Sequence, residues 1–90
     1  MLEQLIQDAL ALHRAGRLAE AEPLYLKVLA LDADFYPALH LMGLIRLHQG
    51  RPGEALPYIE RALGLRPGVP DMLANYSIAL DGVGRTPEAL

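Results

Sequence analysis

The chain has 90 residues, 52% of them hydrophobic, and carries a net charge of −3 from eight basic and eleven acidic side chains. That composition excludes a disordered polar chain and lacks the basic excess of a nucleic-acid footprint. Cysteine is absent, which removes disulfides, thiolate metal sites and a cysteine nucleophile.

The length suits one domain, residues 1–90, able to bury roughly 60–65% of its unfolded surface. The first four residues, Met1 to Gln4, hold an acid where a secretory leader would hold basic residues. No apolar run reaches the roughly 18 residues of a membrane span. These features predict a soluble, cytoplasmic protein with no membrane and no nucleic-acid partner.

The first predicted helix covers residues 2–15, where Leu2, Leu5, Ile6, Ala9, Leu10 and Leu12 recur at threes and fours. Gly16 ends it. The second runs from about Ala19 to Leu31 with Ala21, Leu24, Tyr25, Val28, Leu29 and Leu31 expected inside. Pro23 is placed near the end of its first turn, where a missing N–H costs less. Asp32-Ala33-Asp34 breaks the pattern and offers a cap to the next helix.

The third helix opens around Pro37 and presents Leu39, Leu41, Met42, Leu44, Ile45 and Leu47 on more than one side, up to Gly50. The fourth spans about Gly53 to Leu65, with Pro57 in register with Pro23 and Ala55, Ile59, Ala62 and Leu63 inward. Arg66-Pro67-Gly68 stops it. The fifth begins at Pro70-Asp71, and its apolar set is Leu73, Tyr76, Ile78, Leu80 and Val83. After Gly84 a sixth helix is expected to start, about one turn before Leu90.

One signature ties these elements together. It reads Gly16-Arg17-Leu18-Ala19-Glu20-Ala21, then Gly50-Arg51-Pro52-Gly53-Glu54-Ala55, then Gly84-Arg85-Thr86-Pro87-Glu88-Ala89. The glycines are 34 residues apart each time (50 − 16 and 84 − 50). Such a period marks a solenoid of helical pairs. Glycine can close a helix in the left-handed region, glutamate suits the positive start of the next, and alanine lets two helices approach.

Thirty-four residues per helical pair with this turn resembles the tetratricopeptide repeat. The family pattern W-x2-L-G-x2-Y, A-x3-F, P falls on Leu39, Met42, Gly43, Arg46, Ala55, Ile59 and Pro67 in the second unit. In the first it falls on Leu5, Asp8, Ala9, Leu12, Ala21 and Tyr25, with Ala33 in place of the proline. In the third it falls on Leu73, Tyr76, Ser77, Leu80 and Ala89. The resemblance implies an all-α right-handed superhelix of antiparallel helix pairs. It has about two and a half repeats, residues 2–35, 36–69 and 70–90. Ala9, Gly43 and Ser77, with Ala21, Ala55 and Ala89, become the close-packing positions. Arg46 stands where the family has an aromatic and Asp8 where it has leucine. The stem of Arg46 is expected to cover apolar surface with its head outward, and an acid on a neighbouring helix is a second reading.

The resemblance also implies a peptide-binding groove lined by the first helix of each pair. Its spacing selects Ile6, Gln7, Leu10 and His13, then His40, Leu41, Leu44 and His48, then Asn75 and Ile78. The centre is apolar around Leu10, Leu41 and Leu44. Relatives that hold a C-terminal carboxylate do so with Lys, Asn and Arg. The matching places here are Ile6, Leu10, Leu41, Asp71 and Asn75, which do not suit that ligand. The asparagine ladder of sugar-transferase relatives would be Gln7, Leu41 and Asn75, a broken match.

Catalytic motifs are lacking. The three histidines form no H-E-x-x-H, and His40 and His48 lie about 12 Å apart along one helix, too far to share a metal. Gly82-Val83-Gly84 follows a helix and has no third glycine, so no nucleotide site is implied. No metal or cofactor is expected, and the chain is read as non-catalytic: a scaffold binding a peptide segment of a protein partner. The other reading is the amino-terminal recognition arm of a larger enzyme, such as a sugar-transferase-like or sulfotransferase-like protein. The chain stops inside a predicted helix, which points to the second reading. The truncated third repeat is expected to leave Leu73, Tyr76 and Leu80 incompletely covered at the open end, so a homodimer through the fifth helix and the chain terminus is also expected.

Overall fold

A computed structural model describes residues 2–84, and it contains five helices and no strand among them: α1 (Leu2–Arg14), α2 (Leu18–Leu31), α3 (Tyr36–His48), α4 (Pro52–Leu65) and α5 (Pro70–Gly82). Successive helices pack on one another, α1 on α2, α2 on α3, α3 on α4 and α4 on α5, and α3 also touches α5. This is a helical-repeat solenoid.

The turns follow from backbone accounting. Gly16 takes φ +79°, Gly50 +74° and Gly84 +77°. In the first turn the Gly16 N–H reaches the His13 carbonyl at 3.0 Å and the Arg17 N–H reaches Leu12 at 2.9 Å. The second turn repeats this, Gly50 to Leu47 at 3.0 Å and Arg51 to Arg46 at 2.8 Å. These pairs are the two bonds of a Schellman motif, which satisfies the last carbonyls of the helix. Arg17 then serves a second purpose. Its own carbonyl accepts from Glu20 and Ala21, so the residue that closes α1 also opens α2. Its guanidinium meets the Glu20 carboxylate, and Arg51 approaches Glu54 at 3.7 Å in the same way. Nothing lies within 4 Å of a Cβ added to Gly50, so only the left-handed backbone, at a cost on the order of 1 kcal/mol for other residues, keeps glycine there.

Gly43 is required for a different reason. A Cβ on it would sit 2.5 Å from Ile59 Cγ1 and 3.4 Å from the Ala55 carbonyl oxygen. Ala55 and Ile59 are fully buried, so α4 rests directly on the backbone of α3. Ala9 and Ala21 are buried in the same way between α1 and α2. Ser77, the third member of the series, is exposed, and its expected partner Ala89 lies outside the described residues.

Four expectations need correction. Pro23 and Pro57 are each the sixth residue of their helix, past the first turn, so each removes an N–H that would have reached the carbonyl four residues back. Asp32 does not cap α3. Its carboxylate accepts from the Asp34 N–H at 3.2 Å, and the N-cap position belongs to Phe35, which makes no side-chain cap. Leu31 is 66% exposed rather than inward. Leu80 of α5, expected to be incompletely covered, is 3% exposed and buried with Met72 and Ala79, while Leu73 and Ile78 are exposed, as is Val83 just past the helix end. The reason is that α5 packs on α4 and α3, and that packing covers Met72, Ala79 and Leu80 but does not reach Leu73 and Ile78.

Candidate functional site

The odd-numbered helices lie side by side through side chains on one face. His13 of α1 meets His48 of α3 edge to face, ring centroids 5.8 Å apart. The Asn75 Nδ2 of α5 donates to Nε2 of His40 on α3 at 2.7 Å. Both pairs have the same separation, 48 − 13 and 75 − 40, which is 35 residues or one repeat plus one. Along this face Ile6, Leu10, His13, His40, Leu41, Leu44 and Asn75 are half-buried, and Gln7, His48 and Ile78 are exposed. Leu41 and Ile6 also pack against the core shared by α1, α2 and α3.

His13 has further company. Its Nδ1 lies 3.4 Å from the Tyr25 hydroxyl, and the two rings meet edge to face. Burial and then the neighbouring His48 hold its pKa below the usual histidine value. Burial pushes the Tyr25 hydroxyl up to about 12, with Arg14 pulling the other way. Burial also lowers the pKa of His40, while the Asp71 carboxylate acts to raise it. Spacing within a helix could not reveal the His13–His48 contact, because it crosses from one repeat to the next.

Arg46 resolves the departure from the family pattern. Its side chain is only 14% exposed and pairs with Glu22 of α2. It also donates to Gln49 Oε1 at 2.9 Å and lies 3.6 Å from Glu54 of α4. The guanidinium thus joins three helices across two repeats, and the acid partner that sequence could not name is Glu22. A second inter-element pair links Arg61 of α4 to Asp34 at 3.0 Å. No three metal-ligating side chains converge among the described residues. No helix there is long and apolar enough to cross a membrane.

Models of the tetratricopeptide repeat match residues 5–26 and 38–73. The chain belongs to the tetratricopeptide repeat family. Repeats of this family serve as protein-interaction scaffolds. Among solved structures, a MamA mutant is 25% identical with a TM-score of 0.88, the match covering 99% of this chain and 65% of that one. A structure titled "MamA RS-1 ArsTM double mutant" is 25% identical with a TM-score of 0.91, covering 98% and 49%. MamA AMB-1 gives 24% identity and 0.89, covering 100% and 49%. The chain therefore spans between about half and two-thirds of the length of these proteins. No curated protein matches it.

Proposed function

We propose that this tetratricopeptide domain is a non-catalytic scaffold that holds an apolar peptide segment of a partner protein against α1, α3 and α5. The observation that carries the reading is the half-buried trio Leu10, Leu41 and Leu44 on these helices, bordered by Gln7, His40 and Asn75. Half-buried leucines beside polar side chains can accept apolar contact from a ligand while hydrogen-bonding groups set its register. Leu44→Glu should abolish capture of the partner while the far-ultraviolet circular dichroism stays helical. Binding that survives this change but is lost on altering α2 and α4 places the ligand on the other face.

The second partner is another copy of the chain. Leu73 and Ile78 of α5 and Val83 just past it are 46%, 56% and 37% exposed, and exposed apolar surface favours association. A two-fold pairing through α5 closes such a surface. Sedimentation should show concentration-dependent dimers that Ile78→Glu disperses. A strict monomer at high micromolar concentration overturns the pairing. The alternative role as the recognition arm of a longer sugar- or sulfotransferase-like enzyme uses the same face, and the full-length coding sequence distinguishes it.

A further inference from the structure

The two contacts that join the odd-numbered helices differ in how they answer to acid. At the α3–α5 seam, Asn75 donates to a neutral His40. Protonation of His40 removes that acceptor, but a turn of the amide offers Oδ1 to the new N–H. Asp71 of α5 also favours the charged ring. That seam has its own compensation.

The α1–α3 seam is built differently, with one imidazole set against another. The groups that meet His13 are Tyr25 from α2 and His48 from α3, with Arg14 next to it on α1. A charged His13 could still donate to the Tyr25 oxygen, so the conflict lies between the two imidazoles. Histidine is the side chain that changes charge between about pH 5 and 8.

We propose that the His13–His48 contact is an acid-labile seam: protonation of the pair separates α1 from α3 on this face while the Arg46–Glu22 clasp and the α2–α3 packing keep the repeats joined on the other. The first repeat then pivots against the second, and the spacing between Leu10 on α1 and Leu41 and Leu44 on α3 changes with pH. This inference does not depend on any ligand. It makes the face that bears the leucines wider in mild acid than at neutral pH.

The direction follows from linkage. A histidine whose folded pKa is depressed favours the neutral form, so its contact is at full strength above the unfolded value of about 6.5 and weakens as the pH falls below it.

The absence of cysteine allows paired spin labels in the full chain. Ala15→Cys with Gln49→Cys marks the ends of α1 and α3, and Gln49→Cys with Val83→Cys marks the ends of α3 and α5. Between pH 7.5 and 5.5 the first distance should lengthen and the second should hold. His13→Gln or His48→Gln should remove the lengthening. In parallel, the His13 ring resonance in the unlabelled protein should titrate at higher pH once His48 is replaced by Gln. Constant distances, equal lengthening at both seams, lengthening that survives His48→Gln, or an unmoved His13 titration each overturns the proposal.

Discussion

Leu39→Ala should destabilise the protein by about 2–5 kcal/mol, the cost of a core leucine truncated where the surroundings cannot collapse. Leu39 is 4% exposed and clusters with Ala62 of α4 and Met72 of α5. Leu29, Tyr36, Tyr58, Leu63 and Val69 pack around that cluster. The vacated space would thus be walled by several separately anchored helices, which limits relaxation. A chain this small has roughly 5–13 kcal/mol to lose, so the urea midpoint should fall steeply with an unchanged slope. Leu31→Ala is the control. Leu31 is 66% exposed, and its loss should stay within about 0.5 kcal/mol of wild type. Equal midpoints for the two variants would show that α3 does not sit at the junction of α4 and α5.

The second large effect belongs to Arg46. Arg46→Ala should cost about 1–3 kcal/mol, because it takes away charge-assisted hydrogen bonds and leaves Glu22, 25% exposed, without its partner. The Glu54 arm contributes little, since that carboxylate is 58% exposed and well solvated. A double-mutant cycle of Arg46→Ala with Glu22→Gln should give a coupling energy above about 0.5 kcal/mol. Zero coupling would mean that only the stem of Arg46 matters, as an apolar cover. Replacing Arg46 and Glu22 together by leucines should recover most of the loss, as an apolar pair of similar volume escapes the desolvation cost.

Much of the fold is legible in the sequence because its determinants are local. The Gly16 and Gly50 turns need only one residue at positive φ and two backbone bonds, all within six positions, and Gly84 takes the same positive φ. The small residues Ala9, Gly43, Ala21 and Ala55 sit opposite one another because the helices of a pair are joined by three-residue turns, so their register follows from counting. The 34-residue period then sets the number and order of helices without reference to any single apolar residue.

The contacts between repeats were decided elsewhere. Arg46 reaches an acid 24 residues away, and His13 meets a histidine 35 residues away. Which of several side chains lies across a seam depends on how far one repeat rotates against the last, and no local rule carries that angle. The same holds for α5, whose apolar residues lie around more than one side of the helix. The packing of α5 on α4 and α3 buries Met72, Ala79 and Leu80 and leaves Leu73 and Ile78 outside. The amino-acid sequence by itself determined the helices, their turns and their pairing, since those depend on backbone geometry within a few residues. Only the tertiary structure decided which side chains bridge the repeats and which apolar residues of α5 stay in water, since both depend on the angle at which successive helix pairs stack.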